Sequence, residues 1–136
     1  MSDSKLKYYK GLFLVAAVYD IVLGVVFTFF PKSAFDLVGI PEKSPEFVGY
    51  LSLIGAFLFV IGVAYYLIYR GDLKKNRDLI LIGTLYKFAY FSIAIYYFAI
   101  GNIPHIIFLG LFGVIDFIMF ILMVECYRTV SKTSSN

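Results

Sequence analysis

The chain has 136 residues, 61% of them apolar and 20% aromatic, with 15% charged and a formal net charge of +3. A water-soluble domain runs near half apolar and a quarter charged, so this chain lacks the polar surface to cover itself in water. Its mean hydropathy of +0.86, with the apolar residues gathered into blocks of about twenty, excludes a disordered chain, a soluble enzyme and a nucleic-acid-binding domain.

The blocks fall at residues 11–30, 47–69, 79–100 and 106–124. A hydrocarbon core about 30 Å thick needs roughly 20 helical residues at ~1.5 Å each, so every block predicts one crossing. The first follows Lys5, Lys7 and Lys10 as a signal peptide would. It is nevertheless longer than a typical signal core, holds Asp20 and lacks a small-x-small cleavage site, so it is read as a retained span. Pro31 closes it. In residues 31–46, Ser33 is an N-cap candidate, Gly39 a terminator, and Ala34, Phe35, Leu37, Val38 and Ile40 are apolar. That pattern predicts either a short helix lying on the bilayer surface or a structured turn. Pro41 and Pro45 precede the second block, Arg70-Gly71-Asp72 follows it, and Gly101-Asn102-Ile103-Pro104 separates the third from the fourth. All are breakers at boundaries, and no proline falls inside a block. Residues 129–136 are Ser/Thr-rich and read as a disordered cytoplasmic tail. The predicted fold is all-α: an integral-membrane, up-down four-helix bundle formed by residues 1–128 as a single domain.

Orientation follows from the flanking basic residues. Lys5, Lys7, Lys10, Arg70, Lys74, Lys75, Arg77, Arg128 and Lys132 flank one side, against Lys32 and Lys43 on the other. Both termini are therefore predicted in the cytoplasm, with the protein in the plasma (inner) membrane. Tryptophan is absent, so tyrosines near the span ends serve as the interfacial belt. A weak internal likeness between residues 14–20 and 81–87, each ending in Tyr followed by a charge, fits either a duplicated hairpin or chance in an apolar chain.

Asp20, Lys87 and Asp116 are ionisable residues well inside the spans. Each costs about 2.5–3.5 kcal/mol near the bilayer centre, a gross penalty on the order of 7–10 kcal/mol for the three. Counted from the cytoplasmic ends of their helices, all three lie roughly 12–14 Å deep at ~1.5 Å per residue. Three charges on three helices thus share one level, and a bundle that brings them together turns separate penalties into one satisfied cluster. Side chains lean towards the N-terminus of their own helix, which favours Asp20 with Lys87 as the direct pair and leaves Asp116 on the neighbouring fourth helix. Two acids against one base leave one formal negative charge, which a proton or small cation would neutralise. Tyr19, Tyr66 and Tyr86 lie close in sequence or depth and are candidates to hydrogen-bond the carboxylates. The same charges also fit a structural pin that fixes helix register, and Lys87 alone could snorkel to the headgroups. A cavity reaching the charged layer would favour a ligand site; a closed, dry core with an exposed groove of small residues would favour a scaffold.

Cys126 and His105 are single residues of their kinds. One chain therefore offers no disulfide, no CxxC pair and no Cys/His metal site, and no metal or cofactor is expected. Cys126 near the cytoplasmic boundary is either a palmitoylation site or an inert thiol. No phosphate loop or activated serine is present, so the expectation is a non-enzyme, with a lipid or quinone reaction using the aspartates as the remaining enzymatic alternative.

Tyr19-Asp20 with Leu23-Gly24, Phe30-Pro31, Gly39-Ile40-Pro41, Asn76-Arg77, Gly83 with Lys87, and Gly101-Asn102-Ile103-Pro104 leading to Asp116 together resemble the DoxX-like group of small four-helix bacterial and archaeal membrane proteins. Some members of that group resemble membrane subunits of oxidoreductase or quinone-linked systems, so the resemblance implies a membrane subunit as one role. The sequence reading is a multi-pass protein with a buried polar site for a proton, small cation or small polar ligand, binding or transporting it. The alternative is a non-catalytic membrane subunit or scaffold with structural charges. The lipid bilayer is the expected partner, together with a second copy or another membrane subunit, and no nucleic acid.

Overall fold

The computed structural model describes residues 1–134. Its helices are α1 (Asp3–Phe29), α2 (Pro31–Val38), α3 (Gly49–Arg70), α4 (Arg77–Ala99), α5 (Ile106–Phe108) and α6 (Asp116–Ser134). Between α5 and α6 the chain stays helical but widens to π geometry over Leu109–Ile115. Among the described residues four helices are long and apolar enough to cross a membrane: α1, α3, α4 and the composite Ile106–Lys132.

The buried positions of each long helix recur at three- and four-residue intervals, the spacing of one helical face. On α1 they include Tyr9, Phe13, Ala16, Asp20, Gly24 and Phe27; on α3 they are Gly55, Leu58, Gly62, Tyr65 and Ile68. The opposite faces carry exposed Val15, Val18, Val22, Phe57, Val60, Ile82, Phe117 and Ile121. An apolar outer surface on that scale belongs in lipid, not in water.

The helices associate as two pairs built differently. Consecutive α1 and α3 pack most extensively and meet backbone to backbone. A Cβ added to Gly24 would stand 2.6 Å from the Phe59 nitrogen, and one on Gly62 would stand 2.8 Å from the Ile21 nitrogen. Glycine is required at both, because close approach without a side chain is how membrane helices gain dispersion contact. The Ser52 hydroxyl adds a hydrogen bond to the Thr28 carbonyl at 3.0 Å. In the other pair, α4 and α6 are held apart by large rings: Phe91 meets Phe117 edge-on at 5.1 Å and lies 5.2 Å from Phe120.

One end of the bundle, here the terminal end, gathers the first turns of α1 and the last turns of α6. Tyr9 donates its hydroxyl hydrogen to Glu125 at 2.7 Å, and the Lys5 ammonium lies 3.5 Å from the same carboxylate. A continuous core of Tyr9, Phe13, Tyr65, Ile68, Met123 and Val130 fills this end. The turn after α3 is fixed by Asp72, whose carboxylate accepts from the Lys74 and Lys75 amides at 2.8 and 3.1 Å. Those amide bonds, Lys75 foremost, hold its carboxyl below the usual range.

Two local expectations change. Ser33 does not cap α2: the helix starts at Pro31, whose ring fixes a helical φ and needs no amide partner, with no side-chain cap bond. Gly39 does end it, in the left-handed conformation at φ 79°. Phe35 then points inward against Phe108 at 5.6 Å while Leu37 is 90% exposed. At the other extreme, residues 129–134, expected as disordered, continue α6 as helix. Val130 is buried and Thr129 meets Tyr9 at 3.1 Å, so tertiary contact overrides a polar composition. Residues 135–136, the rest of that expected tail, lie outside the described residues.

Candidate functional site

Asp20, Lys87 and Asp116 each occupy the buried stripe of their helix. On α4 the stripe is Ile80, Gly83, Thr84, Lys87 and Phe91, and around Asp116 it includes Gly113, Met119 and Met123. Orientation by the apolar neighbours therefore aims all three charges at the bundle interior. The structure brings them together. Lys87 Nζ lies 2.8 and 3.0 Å from Oδ1 and Oδ2 of Asp20, and 2.8 Å from Oδ1 of Asp116. The three residues are 0–1% exposed. The ammonium bridges the two carboxylates, straddling both oxygens of Asp20 and meeting one of Asp116. Oδ2 of Asp116 makes no hydrogen bond among the described residues.

Two aromatic faces complete the shell around the ammonium. The ring centres of Tyr19 and Tyr65 lie 5.1 and 5.6 Å from Nζ, within reach of a cation–π attraction. Their hydroxyls turn away: Tyr19 donates to the Leu111 carbonyl and Tyr65 to the Gly83 carbonyl, each at 2.7 Å. The expectation that tyrosine hydroxyls would bond the carboxylates is thus corrected. Lys87 already occupies the carboxylate oxygens that face the core, and each hydroxyl finds a backbone carbonyl within reach. Gly83 makes the Tyr65 position attainable, because a Cβ there would run into that ring.

The remaining candidates separate. Tyr66 is 40% exposed and pairs with Tyr69 and the Arg70 guanidinium on the outer surface, so it takes no part in the cluster. Tyr65 takes the place expected for it. Gly55, Leu58 and Gly62 alone do not separate the two, since at about 100° per residue Tyr65 and Tyr66 lie on either side of their mean direction and about equally far from it. Tyr86 is half-buried with its ring 4.7 Å from Tyr90, and no hydrogen bond ties it to the three charges. Thr84 bonds back to the Ile80 carbonyl of its own helix at 2.7 Å. His105 caps α5, accepting from the Ile107 amide at 3.1 Å, and Cys126 is buried in the core. No group of three or more His, Cys, Asp or Glu able to hold a metal ion occurs among the described residues.

The π-helical stretch ends directly before Asp116, a placement such distortions favour at functional sites. Beyond it, at the end opposite the termini (the loop end), lies a cavity of about 530 Å³. None of the three charged residues lines it. Phe27, Tyr90 and Phe112 stand between, with Phe112 6.1 Å from Phe27 and 5.8 Å from Tyr90. Rings thus lie on the cavity side of the cluster and the packed core on its terminal side.

Comparison of the chain with family models, with curated proteins and with solved structures gave no match.

Proposed function

We propose that the protein is a multi-pass plasma-membrane protein, threaded up-down with both termini in the cytoplasm, whose Asp20–Lys87–Asp116 cluster binds a proton. The orientation rests on nine flanking basic residues against two. The proton rests on one observation: two carboxylates and one ammonium, each at most 2% exposed at the side chain, leave one formal negative charge sealed inside. An uncompensated charge in such a place costs several kcal/mol, and one proton removes it. Lys87 already fills the position a small cation would take, between the two carboxylates. Oδ2 of Asp116, without a hydrogen bond among the described residues, is the natural seat of the proton. The resemblance to DoxX-like proteins belongs to the same architectural reading.

Infrared difference spectra of the reconstituted protein in H2O and D2O test this. Neutral-pH wild type should carry a carboxylic-acid C=O band that Asp116→Asn removes. A wild-type spectrum without that band, or a band that survives both Asp116→Asn and Asp20→Asn, would overturn the proposal.

A second reading is favoured by the position of Lys87. It ties α1 of one helix pair to α4 and α6 of the other, across an interface where α1 and α4 scarcely touch directly. In that reading the cluster is a pin and the protein a non-catalytic membrane subunit or scaffold, paired with a second copy or another subunit. The missing infrared band is its expected outcome.

A further inference from the structure

The loop-end cavity, at about 530 Å³, has the size of a small-molecule site, which spans roughly 300–1,000 Å³. Leu51 and Ile54 of α3 face Ile93 and Ala94 of α4 across it, where these two helices pack sparingly. Its floor is the aromatic layer already described, with Phe108 stacked on Phe112 at 6.3 Å and 18°. The lining is almost wholly apolar. Besides Tyr90 on the floor, its polar side chains are Tyr97 and Asn102, at the α4 end and the connection that follows. The cavity is therefore apolar towards the middle of the span and polar at the Tyr97–Asn102 end.

We propose that this cavity holds one acyl chain of a membrane phospholipid, with the head group at the Tyr97–Asn102 rim and the chain terminus on the Phe112 floor. A polar or charged ligand would lose its hydration against walls that return no hydrogen bonds. A hydrocarbon chain gives up no hydrogen bonds there, and its polarity gradient from head to tail matches that from rim to floor. Protein interiors are close-packed, so walls around a space this large lack contact partners that a chain supplies. The bilayer presents such chains at the gap between α3 and α4. The site is separate from the charged cluster, so it stands or falls independently of the proton.

The test uses the full chain in phosphatidylglycerol vesicles containing a phospholipid with a diazirine at the end of one acyl chain. After irradiation, mass spectrometry should place adducts on Tyr90 and Phe112, besides general labelling of lipid-facing Val60. Filling the cavity by Ala94→Phe should lower the floor adducts several-fold and leave those on Val60 unchanged. Leu51→Phe serves the same purpose if the first variant does not fold, and the wild-type map alone decides if neither does. Adducts confined to lipid-facing positions, floor adducts undiminished in a folded filled variant, or floor labelling obtained only with a free diazirine fatty acid would each overturn the proposal.

Discussion

On the terminal side of Asp20, Lys87 and Asp116 the helices close on Tyr9, Phe13, Tyr65, Ile68, Met123 and Val130, none more than 1% exposed. On the loop side the same four spanning helices part around a cavity of about 530 Å³. The difference lies in what each half uses to fill space. The terminal half interlocks long side chains and ties them with Tyr9 to Glu125. The loop half sets rigid rings at the base, and glycine contact draws α1 and α3 together while α4 stands off from α3. In water an apolar opening of this kind would be penalised; in a bilayer the surrounding solvent is itself hydrocarbon, so one half can stay open while the other is packed. The charges lie at the boundary, with the packed core on one side and the rings on the other.

Substitutions can break this contrast. The largest effect is expected at the boundary: Lys87→Met leaves two buried carboxylates facing each other and should destabilise the protein in detergent by about 3–5 kcal/mol. In an Asp20→Asn background the same change should cost less, because it leaves one unpaired carboxylate (Asp116) instead of two, and additive effects in the cycle would argue against a direct pair. Next comes the packed half, where Met123→Ala opens a hole in a 0% exposed position and should cost about 2–4 kcal/mol in chemical unfolding. Ile93→Ala, at the edge of the cavity and 58% exposed, should change the same measurement by less than about 1 kcal/mol. Equal losses at Met123 and Ile93 would mean that the two halves are not packed differently.

Much of the architecture was legible because it depends on local order along the chain. Blocks of lipid-compatible residues gave four spanning helices, and counting residues from the span ends placed Asp20, Lys87 and Asp116 at one depth. Depth is a property of a single helix, so sequence reaches it. Azimuth is harder: a one-residue error moves a side chain by about 100°, which is why the sequence points to Tyr66 where Tyr65 belongs. The glycine pattern on α3 marks the contact face but leaves Tyr65 and Tyr66 about equally close to it. The cavity was beyond reach, since it arises from the spacing between α3 and α4 and from a π-helical stretch that no propensity announces. Helix through residues 129–134 was missed for a related reason: Val130 and Thr129 are ordered by contacts from α1, over a hundred residues away.

The wide turn over Leu109–Ile115 has a consequence for phase along the fourth crossing. Relative to an ordinary helix it absorbs extra chain without breaking the rod, so the faces before and after it are offset in rotation. Phe108 and Phe112 are set for the cavity wall, and Asp116 is set for the ammonium, on one continuous helix whose two parts answer to different neighbours. Winding the same residues as uniform α-helix, with none removed, would turn one part by about 100° against the other. Either the rings or the carboxylate would then face lipid. The bulge works as an angular spacer, allowing a single span to serve an open half and a closed half at once.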